Sequence, residues 1–284
     1  MPSEPRKPFW LIPNLLSLDA PLIAVTWLYI FARTWRADYL PWAAYISLAL
    51  VVWVIYATDR ILDGSIRFGS GEKLSARHEF HRTHRHVLRF VIIVAFVIAL
   101  FVVISSLAVK IYIYAVLGAI MVGGFFTLAV YAPPSQQEIP YAKNILAGLS
   151  FGYGTAILAY AYTGFEIQDL IHSRELICFI MLCILNITAI DLWENANRSN
   201  DVEVKATNEL ALTLPLTLLG AAALVFAVQD PDLTTRPFFY AILTGSALLQ
   251  VLNRSRSRFG PEALRVLADV TLLIPVVIFQ VSSK

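Results

Sequence analysis

The sequence predicts an all-α fold, a polytopic membrane bundle of about nine transmembrane helices. Of its 284 residues, 58% are hydrophobic and only 15% are charged, and the mean hydropathy is +0.67. A soluble chain of this length would need more charge to cover its surface. Most of the surface must therefore face lipid, and a net charge of +2 is too small to indicate nucleic acid as a partner.

The apolar segments are each close to the length that crosses about 30 Å of hydrocarbon at 1.5 Å per residue. No apolar run with a small-residue cleavage site follows the polar N-terminus, so no cleaved signal is expected. Cys178 and Cys183 are five residues apart on different faces of one helix, so they cannot pair. The segments cover residues 12–31, 40–58, 87–109, 111–131, 143–164, 175–193, 209–228, 236–252 and 263–281.

The orientation follows from the basic residues in the connecting segments. Sixteen Lys and Arg residues lie on the side of the N-terminus, and six lie on the other side. By the positive-inside rule, the N-terminus and the charged loops on its side are cytoplasmic. We expect an integral protein of the bacterial inner membrane.

Two aspartates mark an internal repeat. Asp59 and Asp191 each end an apolar helix, and each is followed by a charged loop and two further helices. This organisation predicts a duplicated four-helix unit. We therefore expect one membrane domain, 1–284, with repeats at 1–131 and 132–252 and a ninth helix at 253–284.

The first charged segment combines a carboxylate pair with cations. Asp59 and Asp63 are four residues apart, on one helix face, and can share a divalent cation. The nearby Arg67 and Arg77 can then bind an anion bridged by that metal, and diphosphate is the obvious candidate. The alternative is that the two acids cap a helix end and pair with Arg60 and Arg67.

These residues resemble a known family. The run Asp-Arg-Ile-Leu-Asp-Gly-Ser-Ile-Arg at 59–67 resembles the first aspartate-rich motif, N-x-x-x-D-x-x-x-D, of the UbiA-type intramembrane prenyltransferases. Leu-Asp-Ala-Pro at 18–21 is similar to the R-x-D-K-P-type opening of that family. Lys143 and the small residues at 146–152 resemble the start of its fifth helix. The order and spacing of these motifs carry the resemblance across nearly the whole chain.

The chain departs from the family pattern in both motifs. Ile55 and Tyr56 stand where the first motif has an Asn-Asp pair. The second motif, expected to hold several carboxylates, reads Asp-Leu-Trp-Glu-Asn-Ala-Asn at 191–197. Asp191 and Asn195 keep the spacing of four residues, but an amide brings no charge to hold a metal. Metal affinity at the second motif is therefore expected to be weak.

The resemblance implies transfer of a prenyl group from an isoprenyl diphosphate to a hydrophobic acceptor, assisted by Mg²⁺. The acids with a catalytic role would be Asp59, Asp63 and Asp191, and the metal ligands would be these three with Glu194 and Asn195. The predicted diphosphate-binding residues are Arg67, Arg77, His78, Lys143, Arg198 and Lys205. Membrane lipid is the other expected partner.

Histidines recur every three residues in the segment 77–86, as His78, His81 and His84. They could form a metal site, a solvated basic face attracted to anionic headgroups, or a phosphate-facing surface in which Arg77, His78 and Arg82 hold the leaving diphosphate. A desaturase-like iron site would need further histidine boxes, and the only histidine outside this segment is His172.

Polar and aromatic residues inside the helices indicate a cavity. Asn14 and Asn186 are costly in hydrocarbon and should face the bundle interior, and Asn186 precedes Asp191 by about one turn. Tyr56 and Tyr153 lie on helices that would line the same space. These four residues are the predicted substrate cavity, whereas Asp269 is predicted to make an interhelical hydrogen bond.

Two other functions stay open at the level of sequence. A terpene cyclase would use the same diphosphate site without a second substrate, and a non-catalytic lipid carrier or transporter would explain the altered second motif. Ser17 and Ala20 stand where the resemblance would place cations. A neutral acceptor or a lipid-like alcohol is therefore favoured over a carboxylated aromatic one.

Overall fold

The computed structural model describes residues 8–37, 39–69, 76–131, 138–164, 167–198, 202–231 and 233–283. Within these ranges all regular structure is helical, and no strand is present. Short 3₁₀ turns at Phe9–Leu11 and Arg256–Arg258 accompany the α-helices. The helices are α1 (Ile12–Leu15), α2 (Asp19–Thr34), α3 (Trp42–Gly69), α4 (Ala76–Thr83), α5 (Arg85–Ser106), α6 (Lys110–Tyr131), α7 (Glu138–Tyr160), α8 (Ile167–Ile171), α9 (Arg174–Arg198), α10 (Val202–Gln229), α11 (Arg236–Ser255), α12 (Pro261–Leu273) and α13 (Pro275–Ser282).

The membrane character of the chain is confirmed. In the described part of the chain, six helical stretches are long and apolar enough to cross a membrane, or seven if the bent pair α1–α2 forms one span. The count of nine spans is not confirmed by this set. The stretches are Trp42–Gly64, Arg85–Ser106, Lys110–Tyr131, Arg174–Asn197, Glu209–Gln229 and Pro261–Ser282.

The first apolar segment is broken rather than continuous, which corrects the predicted helix 12–31. The axes before and after the break differ by 81°. Ser17 has a positive φ of 56°, a left-handed conformation that ends α1. Asp19 and Pro21 then suit the first turn of α2. The positive N-terminal end of the helix stabilises the carboxylate of Asp19, and proline is tolerated in the first turn.

The two acidic motifs lie within helices, which corrects the expectation that each begins a loop. Helix α3 continues past Asp63 to Gly69, and α9 continues past Asp191 and Glu194 to Arg198. The acids are therefore held by the rigid ends of long helices. A helix-capping role for Asp59 and Asp63 does not fit this geometry.

The core surrounds α9, whereas α5 and α6 lie at the periphery. Of the most apolar stretch of each helix, 56% of residues are buried in α9 but only 11% in α5 or α6. Trp27 of α2 stacks on Phe179 of α9 with ring centroids 4.4 Å apart, and Phe31 and Phe238 contact the same cluster. The exposed apolar faces of α5 and α6 are suited to contact lipid.

Helices α7 and α9 pack closely at two glycines. A Cβ atom added to Gly148 would lie 2.8 Å from the backbone nitrogen of Ile184, and one added to Gly152 would lie 2.5 Å from Ile180 Cγ1. These glycines are four residues apart and let the two backbones approach, as small residues do between membrane helices. The small-residue stretch noted in the sequence thus brings α7 against α9.

We expect Gly148→Ala to destabilise the protein by about 1–3 kcal/mol, because the new methyl group must push α9 away from α7. Gly154→Ala is the matched control on the same helix, where an added Cβ meets nothing within 4 Å. Thermal unfolding in detergent measures both. Equal unfolding temperatures for the two variants would show that the close packing is unimportant.

Candidate functional site

The bundle contains a cavity of about 830 Å³. Ser47 and Asp63 both line it, and they lie sixteen residues apart on α3, so the cavity runs about 24 Å along that helix. Acidic and basic side chains line one end. The remaining wall is mostly apolar and includes Phe96, Leu100, Val103, Leu107, Ile111 and Phe125 from α5 and α6.

The charged end is built where helices begin and end on one side of the bundle. The acids stand near the C-terminal ends of α3 and α9, and their partners stand near the starts of α7 and α12. The opposite end of the cavity reaches Leu107 and Ile111, at the connection between α5 and α6. The cavity therefore joins a charged end to an apolar interior.

Helix α7 lies between the two acidic motifs and presents a different side chain to each. Lys143 Nζ is 3.4 Å from Asp59 Oδ1 and 3.3 Å from Asp63 Oδ1. The next residue, Asn144, donates a hydrogen bond of 2.7 Å from Nδ2 to Asp191 Oδ2. Consecutive helical residues point about 100° apart, so one helix can serve both neighbours. The carboxylates of the first motif therefore contact a cation, Lys143, whereas Asp191 of the second motif contacts a neutral amide, Asn144.

The second motif is also held by an arginine. Arg265 of α12 binds Glu194 Oε1 through Nε at 2.8 Å and Nη2 at 2.5 Å, and its Nη1 lies 3.5 Å from Glu262. The Arg265 side chain is only 6% exposed. Glu194 is therefore engaged in a nearly buried, charge-assisted pair.

A third buried group connects the break in the first span to α3 and α4. Arg60 Nε donates to Ser17 Oγ at 3.1 Å, and Arg60 Nη2 is 4.0 Å from Asp19 Oδ2. Ser17 Oγ lies 3.3 Å from His81 Nε2. The left-handed turn at Ser17 is thus fixed from two sides.

Hydrogen bonding identifies the tautomer of His81. Its Nδ1 is 2.9 Å from the carbonyl oxygen of Arg77 and so carries the proton, which leaves Nε2 to accept from Ser17. Burial lowers the pKa of His81, and the charges of Arg60 and Arg77 lower it further, against the opposing effect of its backbone hydrogen bond. A neutral imidazole satisfies both contacts.

His81 and His84, the two histidines of the stripe whose side chains are described, do not share one surface. His81 is buried against Ser17, whereas His84 is exposed and contacts the carbonyl oxygen of Phe80. The two side chains face different surroundings because α4 ends at Thr83 and α5 begins at Arg85. The side chain of His78 lies outside the described part of the structure.

Arg77 lines the charged end of the cavity and has a hydrogen-bond donor that could bind an anion. Burial, and then the charges of Arg60 and Arg265, lower the pKa of Arg77 to about 9, so the guanidinium stays protonated at neutral pH. Its Nε is buried and finds no hydrogen-bond partner among the described residues. Arginine donors suit phosphate oxygens.

The fit of Mg²⁺ differs between the two motifs. Asp59 and Asp63 converge on the point occupied by Lys143 Nζ, and no described residue donates a hydrogen bond to Asp59 Oδ1. Mg²⁺ commonly takes one or two carboxylates and completes its shell with water and phosphate oxygens. The first motif therefore fits one ion bound together with a diphosphate.

The second motif does not fit an ion of its own. Asn144 and Arg265 already hold Asp191 and Glu194, and Asn195 is exposed, away from the cavity wall. Across the described ranges, no three His, Cys, Asp or Glu side chains converge on a metal position. Asn195 as a metal ligand is therefore corrected, because its side chain projects from the outer face of α9.

The other predicted site residues divide into three groups. Tyr56, Asn186, Arg77 and Lys143 line the cavity with the four acids of the two motifs. Asn14 and Tyr153 are buried but are not among its described lining residues, since Asn14 donates to Asp19 and Tyr153 to the carbonyl oxygen of Tyr114. The side chains of Arg67, Arg198 and Lys205 lie outside the described residues.

Several residues of the charged end were given no role in the site from the sequence. Asn144, Arg265 and Asp269 contact or line the site, and Arg60 was expected only as a partner of the nearby acids. Asp269 lines the cavity, and its predicted interhelical hydrogen bond stays a prediction. The signal for Asn144 and Arg265 was their place one turn inside an apolar helix, where polar side chains are costly.

No protein-family model, curated protein or solved structure matches this chain.

Proposed function

We propose that this protein transfers a prenyl group from an isoprenyl diphosphate to a hydrophobic acceptor inside the membrane. The observation that carries the proposal is the cavity, which runs about 24 Å along α3 from a charged end into a largely apolar interior. A prenyl diphosphate has the same division, with a doubly charged head and a long hydrocarbon tail. The resemblance of the motifs implies the same chemistry.

The charged end would bind the diphosphate head. Arg77 offers a buried Nε–H that finds no partner among the described residues, and Lys143 lines the same cavity. Asp59 and Asp63 would hold Mg²⁺, which supplies charge stabilisation to the leaving diphosphate. Fixed positive groups at this end lower the cost of the negative charge that develops as the carbon–oxygen bond breaks.

The apolar wall would hold the tail and protect the allylic cation. Water is a competing nucleophile, and the described cavity wall beyond the charged end offers mainly aliphatic and aromatic side chains. Tyr56 and Phe151 line the wall, with ring centroids 6.2 Å apart. Aromatic faces in this position can stabilise a nearby cation.

A lipid carrier is the second candidate, and a specific observation favours it. The carboxylates of both motifs are already paired within the protein, with Lys143, Asn144 and Arg265. A binding protein would keep these pairs intact, whereas catalysis requires Lys143 to exchange partners.

Release of diphosphate by purified protein tests the proposal. Farnesyl or geranylgeranyl diphosphate is supplied with and without Mg²⁺, first alone and then with neutral aromatic or alcohol acceptors. We expect release that requires both Mg²⁺ and an acceptor. Equal release without an acceptor would indicate a cyclase or a hydrolase, and no release under any condition would favour the carrier.

We further propose that α7 and α11 also cross the membrane, which would give nine spans in two repeats and a ninth helix, with the N-terminus in the cytoplasm of a bacterial cell. Reporter fusions at Arg67 and Arg198 are expected to report the cytoplasm, and fusions at Ala37 and Asp169 the opposite side. The imbalance of sixteen basic residues to six supports this orientation. An external reporter at Arg198 would separate the two acidic motifs and contradict the shared site.

A further inference from the structure

The cavity has nearly the same depth along three of the helices that line it. Its lining residues span positions 47–63 on α3 and 143–158 on α7. On α6 they span 111–125, counted from Phe125, whose ring centroid lies 5.1 Å from Lys143 Nζ at the charged end. At 1.5 Å per residue these spans correspond to about 24, 22 and 21 Å. The three helices therefore agree on the distance from the charged end to the far end.

Bulky aliphatic side chains line the far end of the cavity. Leu107, Ile111 and Leu158 lie there, and all three are buried. Apolar side chains suit the end of a hydrocarbon tail, whereas a second polar group would lose its hydrogen bonds to water beside them. A tail whose head is bound at the first acidic motif would end against these three residues, the floor of the cavity.

One glycine keeps the middle of the cavity wide. Gly154 lies on the same face of α7 as Phe151 and Leu158, which also line the cavity. A Cβ atom added to Gly154 would meet nothing within 4 Å, whereas one added to Gly148 or Gly152 would meet α9. Helix packing therefore does not require this glycine, and a glycine within a helix costs conformational entropy. Its consequence for the structure is open space, into which any larger side chain would project.

The distance from the charged end to Gly154 can be expressed in isoprene units. One extended unit adds four chain carbons, which is about 5 Å at ordinary carbon–carbon bond lengths. Gly154 is eleven residues beyond Lys143, or about 16 Å along α7. A diphosphate about as long as one unit, followed by two isoprene units, reaches this level. A third and a fourth unit must pass Gly154, and the fourth ends near the floor.

We propose that the prenyl donor carries three or four isoprene units, as in farnesyl or geranylgeranyl diphosphate, and that Gly154 admits the part of the tail beyond the second unit. This assignment rests on the proposed function, because the diphosphate head fixes the point from which the tail is measured. The floor residues Leu107, Ile111 and Leu158 set the upper limit. A donor of eight units is too long for the described cavity.

Binding of unreactive diphosphate analogues with two, three, four and eight isoprene units tests the assignment. Calorimetric titration in detergent with Mg²⁺ gives each dissociation constant. Detergent already shields the tails from water, so the three shorter analogues should bind the wild-type protein within about threefold of one another. The eight-unit analogue should bind at least about tenfold more weakly, because its tail cannot be held in full.

Gly154→Leu should convert the cavity to one that accepts two units. The two-unit analogue keeps its affinity, whereas the three- and four-unit analogues bind at least about tenfold more weakly, because the leucine side chain occupies the space of the third unit. Gly154→Ala adds only a methyl group and should give a smaller change of the same kind, which keeps the test decisive if the leucine variant does not fold.

Gly123→Leu is the matched control. Gly123 lies on α6, is exposed and is not among the described lining residues, and an added Cβ there also meets nothing within 4 Å. This variant should bind every analogue as the wild-type protein does.

Three results would overturn the assignment of tail length. They are equal weakening of all analogues in Gly154→Leu, no change for any analogue in that variant, and wild-type protein that binds the eight-unit analogue as tightly as the four-unit one. Acceptor-dependent release of diphosphate would then still support the proposed function. Length-dependent binding without any release would instead overturn prenyl transfer and leave the tail site in place, and a protein that binds no analogue would overturn both.

Discussion

Replacing Asp63 with alanine is expected to reduce magnesium-dependent release of diphosphate by about 10²- to 10³-fold, the usual cost of losing one fixed stabiliser of developing charge. Asp63 and Asp59 are the carboxylates that converge on a single position, now held by Lys143 Nζ. Without Asp63, neither a metal ion nor the ammonium group is held there from two sides. Asp59→Asn should have a similar effect.

The matched variant in the second motif, Asp191→Asn, should weaken the binding of Mg²⁺ and diphosphate less than Asp59→Asn does. Asp191 accepts a hydrogen bond from the neutral Asn144, and the charge of the neighbouring Glu194 is balanced by Arg265. Asp191→Asn removes one negative charge, as Asp59→Asn does, but it leaves in place the two carboxylates that share the position of Lys143 Nζ. Titration of Mg²⁺ against binding of farnesyl diphosphate compares the variants directly, with Asp169→Asn as a surface control. An effect of Asp191→Asn equal to that of Asp59→Asn would contradict the asymmetry.

Lys143→Met is expected to change two affinities in opposite directions. The ammonium group lies between two carboxylates that are 24% and 19% exposed, so its removal leaves two poorly solvated charges without their shared counter-ion. Mg²⁺ alone should then bind about tenfold more tightly, because it no longer competes with the ammonium group. Prenyl diphosphate with Mg²⁺ present should bind at least about tenfold more weakly, because a cation of the head site is lost.

Calorimetric titration of Mg²⁺, and then of an unreactive prenyl diphosphate analogue, measures both constants. Lys143→Arg keeps the charge and should move neither by as much, and Lys110→Met tests for general effects of losing a lysine. If both affinities fall together in Lys143→Met, the lysine only stabilises the fold. If neither changes, Lys143 does not occupy the metal position.

The carboxylate pair at 59 and 63 can be predicted from the sequence, because a spacing of four residues on an apolar helix places both acids on one face. The same is true of membrane character, which follows from composition and from the length of the apolar segments. The partners of these acids could not be found in this way. The alternative predicts pairing with the nearby Arg60 and Arg67, whereas among the described side chains it is Lys143, 80 residues from Asp63, that contacts both acids.

The difference between the predicted and the observed partners of the acids has a geometric cause. Arg60 follows Asp59 directly and so points about 100° away from it on the helix, towards Ser17 and Asp19. Asn144 reaches Asp191 across the interface of α7 and α9, where Gly148 and Gly152 let the two backbones approach. Neither effect appears in a local window of sequence.

Composition predicts that most of the protein surface faces lipid and that the chain is helical. Spacing within one helix predicts that Asp59 and Asp63 form the first acidic motif. The partner of each carboxylate appears only in the folded structure: Lys143 for Asp59 and Asp63, Asn144 for Asp191, Arg265 for Glu194 and Arg60 for Asp19. These partners lie on other helices because a charged side chain inside a membrane bundle is stabilised by pairing with groups across a helix interface. Helix packing, which is set by side chains distant in the sequence, determines which partner that is.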